Sequence, residues 1–232
     1  MSDSPSDVPI RRAATVVLVR DGTAGVEALL LRRHSDLAFH GGAWVFPGGR
    51  VDDDDYAGAP DDHERAALVA ACREAREEAG LALDASALVP FAHWTTPVGP
   101  PRRFATWFFI ASAEEGDVVT DGGEITDHRW FSPADALAAR AAGEIELPPP
   151  TFVSLTWLES APTAAAAVDA ARVREYVRFE PRLHRVEDGI VHLYAGDAAY
   201  DDVALLDTEG ARHRLWTGAT EWRYLRSPRP AG

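Results

Sequence analysis

Arg73-Glu74-Ala75-Arg76-Glu77-Glu78-Ala79-Gly80-Leu81 is the stretch on which the reading of this chain turns. At helical spacing, about 100° per residue, Glu77 and Glu78 lie one turn from Glu74 on either side of one meridian. The three carboxylates therefore share one arc of the helix. Like charges held so close repel unless a cation lies among them, and a hard divalent metal suits oxygen ligands. Arg73, four residues before Glu77, can form an i,i+4 ion pair that fixes one carboxylate. Gly80 supplies the left-handed residue that ends the helix. The competing reading is a solvated acidic face. The five fixed positions of R-E-x-x-E-E-x-G weigh against it: at ordinary composition a chance match is on the order of one in a million per start.

Phe46-Pro47-Gly48-Gly49 lies upstream, a glycine pair suited to a tight backbone path facing a ligand. With Arg73 to Leu81, this segment resembles the Nudix hydrolase signature, G-x5-E-x7-R-E-U-x-E-E-x-G-U, in which U is aliphatic. Ala75 and Leu81 occupy the U positions of its second half. The first half departs from the pattern. Counted from Gly49, the signature glutamate falls on Asp55; counted back from Arg73, it falls on Arg65. Arg50 to Asp62 thus reads as an insertion, and Asp55 and Glu64 are the candidate replacements.

The resemblance implies an α/β/α sandwich with a mixed sheet. It also implies that Glu77 and Glu78 bind Mg²⁺ or Mn²⁺, that Gly49 offers its carbonyl as a further ligand, and that Glu74 is a ligand or activates water. Arg73 would orient the glutamates. Family members often recruit one more carboxylate from a loop. Glu124, after Gly122-Gly123, is the candidate, with Asp127, Glu114 and Glu115 as rivals. Such metals clamp diphosphate oxygens and neutralise charge as a P–O bond breaks.

The bulk properties agree. The 232 residues can bury one good core with an appendage, and 46% apolar and 26% charged residues are ordinary for a soluble globule. A net charge of −14 argues against binding nucleic acid or anionic membranes through a basic surface. It also means that an anionic substrate needs local cations. The single cysteine, Cys72, allows no internal disulfide and falls opposite the carboxylates, as a small core residue. The polar, acidic start of the chain lacks the pattern of a signal peptide, and no apolar run is long enough to span a membrane. A cytoplasmic protein is expected.

Along the chain, 1–12 reads as a disordered tail, 13–146 as the Nudix domain, and 147–232 as an α+β extension packed on it. Ala13 to Arg20 and Val26 to Arg33 predict a strand pair. Asp52 to Asp55 reads as a solvated acidic loop, with cation binding as the alternative. Asp62 caps a helix from His63 to Ala79 whose apolar face carries Leu68, Cys72, Ala75 and Ala79. Strands are predicted over 87–94, 103–111 and 128–131. A helix capped by Ser132 follows, with Pro133 at its first position. Beyond Leu147-Pro148-Pro149-Pro150, two helices are expected, then hairpin material over 186–194 and 204–215 and a last strand over 222–225.

The substrate is approached through looser similarity. Trp94-Thr95-Thr96-Pro97, Arg102-Arg103-Phe104 and Asp188-Gly189-Ile190-Val191 resemble the acyl-coenzyme A diphosphatase branch of the Nudix enzymes. A coenzyme A pattern, L-L-T-x-R-[SA]-x3-R-x3-G-x3-F-P-G-G, fits at Leu29, Leu30, Arg33, Gly42 and Phe46 to Gly49. It does not fit at Leu31, His34 and Ala38. Arg33, Arg102 and Arg103 are the candidate contacts to substrate phosphate, since guanidinium forks suit it. The leading substrate is coenzyme A or its acyl esters. ADP-ribose or a dinucleotide follows, since a proline placed like Pro97 also occurs in ADP-ribose pyrophosphatases. A catalytically silent, nucleotide-binding Nudix domain is the third reading. The implied partner is a small nucleotide, and a homodimer is compatible with the extension.

Overall fold

The structure, a computed structural model, describes residues 8–37, 40–113, 116–120, 122–219 and 221–228. The predicted tail lies mostly outside these residues, as do Ala38, Glu114 and Glu115. Two compact units are present: 11–94 with 104–177, and 1–10 with 95–103 and 178–232.

In the larger unit, β1 (Ile10–Gly22) and β2 (Gly25–Arg33) form an antiparallel hairpin, with Val19 opposite Ala28 and Gly22 opposite Gly25. β1 starts at Ile10, ahead of the apolar run. Its early residues pair with a strand distant in sequence: β4 (Gly48–Arg50) sets Ala14 opposite Gly49, and Val51 N–H donates to Arg12 O. β3 (Trp44–Val45), β5 (Val89–Thr95), β6 (Arg103–Ser112) and β7 (Ile125–Phe131) belong to the same sheet. The strand order runs β3-β2-β1-β6-β5, with β4 beside β1 and β7 beside β2.

Both sheet faces are buried, as the predicted α/β/α sandwich requires. Ala14, Val16, Leu18, Leu29 and Leu31 pack with the alanines of α1 (His63–Ala79). The alternate residues Val17, Val19, Ala28 and Leu30 are equally buried and point to the other face. There, α2 (Pro133–Ala141) and α4 (Ala164–Val173) reach β2, and α3 (Pro149–Leu158) packs on α2. The start of α4 is tied to β1 by Ala164 N–H donating to Asp21 Oδ1 at 2.7 Å. The helices after the proline break therefore belong to the larger unit.

β8 (Val177–Phe179) carries the chain into the smaller unit, where β9 (Arg182–Val186), β10 (Gly189–Leu193), β11 (His213–Gly218) and β12 (Trp222–Arg226) form a second sheet. Its order is β12-β11-β10-β9. The expected strand over 204–215 does not begin until His213. Asp202 Oδ1 accepts Ala204 N–H and starts a short 3-10 turn instead. Asp197 then pins the crossing, its carboxylate accepting His213 N–H, Ala199 N–H and a two-nitrogen fork from Arg214.

Candidate active site

α1 begins where Asp62 Oδ1 accepts Arg65 N–H at 3.0 Å and ends at Gly80 in the left-handed conformation. Its buried face is almost all alanine, so the helix lies close to the sheet. Cys72 packs on that side as expected, its thiol pushed up by burial and by Asp84. Close approach brings the opposite edge of α1 under β4. A side chain at Gly49 would collide with the Glu74 carboxylate, and Gly48 N–H donates to Glu78 Oε2 at 2.9 Å.

Arg73 is the hub. Its Nη1 donates to Glu74 Oε1 at 2.8 Å and to Glu77 Oε2 at 3.2 Å. Its Nε and Nη2 fork onto Asp55 Oδ1 and Oδ2 at 3.2 and 3.0 Å, and Nη2 also donates to Arg50 O at 2.9 Å. Asp55 is only 5% exposed and also accepts Asp52 N–H. Of the acidic run, this residue is thus withdrawn from solvent, on a 3-10 turn over Asp53–Tyr56. The fork accounts for the lengthened signature. Asp55 keeps the count from the glycine, and the extra residues loop out between it and α1. Glu64 instead lies in the first turn of α1, ahead of the Arg73 turn.

The electrostatics are those of surplus negative charge. The Asp55 hydrogen bond raises the Arg73 pKa, burial works against it, and Glu74 adds to the rise. Burial raises Glu74, Arg73 opposes this, and the charges of Glu77 and Asp52 reinforce it. Glu78, 6% exposed, is pushed up to about 8 by burial against the Gly48 hydrogen bond, with Glu74 and Glu124 adding their repulsion and Arg33 countering it. One guanidinium thus serves Asp55, Glu74 and Glu77, while Glu78 is left to a backbone N–H.

Among the described residues, no three carboxylates or imidazoles stand gathered as a ready metal cage. Arg73 Nη1 takes both Glu74 and Glu77, and Glu78 Oε2 accepts Gly48 N–H. The donor chemistry nevertheless fits Mg²⁺ or Mn²⁺. It consists of hard oxygens, in excess of their counter-charge, beside a glycine whose missing side chain leaves the approach open.

Glu124 comes near through its backbone, its carbonyl accepting His34 N–H at 2.7 Å. Its side chain, 62% exposed, has Oε2 3.6 Å from Arg33 Nη2. Asp127 caps its own neighbour, Oδ1 accepting His128 N–H. Arg33 therefore joins the carboxylate group. Arg102 and Arg103 belong to the smaller unit, where Arg103 Nε donates to Thr96 O at 3.2 Å. No helix of the described residues is long and apolar enough to cross a membrane.

A carboxylate-rich helix held by one arginine under a double-glycine strand defines a family. The profile of the NUDIX domain matches residues 9–149. The chain belongs to the Nudix family. Its fold agrees with the crystal structure of the NUDIX hydrolase from Alicyclobacillus acidocaldarius, at a TM-score of 0.66 and 26% identity over 73% of this chain and 100% of that one. It is 33% identical over 124 residues to the acyl-coenzyme A diphosphatase NUDT19 of Xenopus laevis; the match covers 50% of this chain and 33% of that protein. The putative nudix hydrolase 7 of Caenorhabditis elegans is 26% identical over 230 residues, covering 83% of this chain and 75% of that protein.

Proposed function

We propose that this protein is a divalent-metal-dependent diphosphatase acting on a nucleoside diphosphate joined to a second group, with coenzyme A or an acyl-coenzyme A as the leading substrate. The observation that carries the reaction class is the Arg73 hub, which holds Glu74 and Glu77 beside the double glycine while Glu78 is buried against Gly48. The substrate reading rests on the likeness to NUDT19 and on the partial coenzyme A pattern from Leu29 to Gly49.

Glu74, Glu77, Glu78 and the Gly49 carbonyl would hold Mg²⁺ or Mn²⁺, with Glu124 as a further carboxylate. When bound, the ion supplies charge neutralisation on the diphosphate and eases proton loss from water. The chain's residues do the rest. Arg73 engages Glu74 through Oε1, leaving Oε2 to take the proton of the attacking water. A water oxygen bonds to one phosphorus as its bond to the bridging oxygen breaks, and the leaving phosphate departs with that oxygen. Asp55 and Arg50 O hold the guanidinium so that Glu74 and Glu77 keep their orientation. Arg33, in the same unit as these carboxylates, is the proposed phosphate contact. ADP-ribose and dinucleotides come next as substrates, since Leu31, His34 and Ala38 depart from the coenzyme A pattern.

The test is incubation with Mg²⁺ or Mn²⁺ and a panel of coenzyme A, acyl-coenzyme A, ADP-ribose and dinucleotides, with products identified by mass. Phosphopantetheine and an adenosine bisphosphate are expected from coenzyme A. Folded protein that cleaves no member of the panel overturns the reading and favours a silent nucleotide-binding domain.

A further inference from the structure

The insertion in the signature makes a loop whose ends must be joined. The loop leaves β4 at Val51 and enters α1 at His63, and Arg12 of β1 holds both ends. Arg12 O accepts Val51 N–H at 3.1 Å, and Arg12 Nη2 stands 3.0 Å from His63 Nε2. A guanidinium can only donate, so His63 Nε2 is the acceptor and the ring proton lies on Nδ1. That Nδ1 is buried and has no hydrogen-bond partner among the described residues. Such an orphan donor costs about 1–3 kcal/mol. A residue chosen only to start a helix would not carry that cost.

Between its ends the loop makes short-range turns: Asp55 N–H donates to Asp52 O, Ala57 N–H to Asp54 O, Ala59 N–H to Tyr56 O and Asp62 N–H to Ala59 O. These fix local shape, not where the loop stands. Towards the site, Asp52 and Asp55 face Arg73. The Tyr56 ring, next in sequence to Asp55, meets the His63 ring edge to face, with centroids 5.7 Å apart and planes at 88°. An aspartate is one methylene shorter than the glutamate of the signature, so its backbone must stand closer to Arg73 to make the same fork. Joining the loop ends restricts the chain beforehand and lowers the entropy that the fork must overcome.

Resting on the diphosphatase reading above, we propose that Arg12 and His63 are positioning residues of the active site. Their clasp, with Tyr56 against the ring, sets Asp55 against Arg73 and through it the orientation of Glu74 and Glu77. Constellations of this kind tolerate displacements of only about 0.5 Å. The path runs across the loop and not along the helix. Asp62→Ala removes the cap on Arg65 N–H but leaves the His63 ring on Arg12, so it serves as the control for stability lost without displacement.

Three further variants test the clasp. His63→Phe keeps a ring against Tyr56 and removes the acceptor. Arg12→Met keeps the stem and removes the donor. His63→Gln returns an acceptor near the place of Nε2. With Mg²⁺ and the best substrate saturating, His63→Phe and Arg12→Met should each lower kcat about tenfold with KM within about twofold, less than the roughly 100-fold that about 1 Å of misplacement can cost. The double variant should be slower than either single by no more than about twofold, because both break one clasp, and His63→Gln should hold kcat within about threefold of the parent. The amides of Val51, Asp52 and Asp55, each bonded in the clasped loop, should exchange with solvent about fivefold faster in His63→Phe. Unchanged kcat in both single variants, additive losses in the double variant or unaltered loop exchange overturns the proposal. An equal fall of kcat in Asp62→Ala also overturns it and assigns the effect to helix stability. Hydrolysis of no substrate by the unaltered protein overturns the diphosphatase reading; faster loop exchange in His63→Phe then still upholds the clasp on Asp55.

Discussion

Two arginines organise two carboxylate sites in this chain, and the arithmetic around them differs. In the smaller unit, Arg214 meets one carboxylate. Asp197 accepts its Nη2 at 2.6 Å and its Nε at 2.7 Å, the remaining bonds come from Ala199 N–H and His213 N–H, and Arg214 Nη1 reaches Leu206 O. Burial disfavours the Asp197 charge, but the Arg214 hydrogen bonds outweigh it and hold the carboxyl low. Charge is balanced and donors are matched. In the larger unit, Arg73 meets Asp55, Glu74 and Glu77, with Glu78 buried nearby. There burial raises two carboxylates, and acidic neighbours add to the rise. A balanced pair fixes a fold. A surplus of buried negative charge weakens the free protein and is retained where a cation and an anionic substrate complete it.

The sharpest way to break this contrast is to remove one member of each site. Asp197→Ala leaves Arg214 buried without a counter-ion and should cost about 3–5 kcal/mol in urea unfolding, with the folded fraction keeping its activity. A loss under about 1 kcal/mol would mean that the pair is incidental to the small sheet. Glu77→Gln should do the reverse. Its side chain is 54% exposed, so stability should change little. The rate should nonetheless fall about 100-fold or more, roughly 2.7 kcal/mol of transition-state stabilisation. A rate within about threefold of the parent would remove Glu77 from the machinery.

The sequence made the Arg73 turn legible because helical periodicity is local. Glu74, Glu77, Glu78, the Asp62 cap and the Gly80 stop all follow from spacing along one helix. The strands from Ala13 to Arg33 and from Arg103 to Ala111 were equally plain, since apolar β-branched and aromatic residues declare them. What spacing could not show was contact across the chain. Ile10–Arg12 is strand because of Gly48–Arg50, a pairing no local pattern encodes. Asp55 read as part of a solvated run; its count from Gly49 was the available signal, but only the fold shows Arg73 reaching it.

Buried groups in the two regions should also respond to pH in opposite directions. Glu78 sits at about 8 in the folded, metal-free protein against an ordinary 4.5. The folded state then holds the extra proton, and stability present below 4.5 is lost as pH rises towards 8. His192, lowered by burial from 6.5 to about 4, works the other way: its contribution is present above 6.5 and lost as pH falls towards 4. Between roughly pH 4.5 and 6.5 the Glu78 slope opposes those of His192 and of His40, which burial and Arg33 likewise hold down to about 4; above that window the histidine slopes end and the Glu78 slope remains, with a limit of about 1.4 kcal/mol per pH unit. Urea unfolding in the presence of a chelator should show stability falling from pH 6.5 to 8. Glu78→Gln should flatten that slope, and a slope unchanged in this variant would assign it to another group.

The smallest effect comes from the far end of the same helix. Asp62 bonds Arg65 N–H and satisfies a donor that the first turn of α1 cannot. Asp62→Ala should therefore cost about 1 kcal/mol of stability by denaturant unfolding. The Arg73 hub lies several turns further along, fixed by Asp55, Arg50 O and the alanine face against the sheet, so fraying of the first turn should not reach it. Expected, then, is a lower unfolding midpoint with kcat and KM unchanged. A kcat that fell in step with stability would show that the whole of α1 moves as one lever on the carboxylates. The division between fold-fixing and chemistry-bearing charge would then have to be drawn between the two arginines alone, not along the helix.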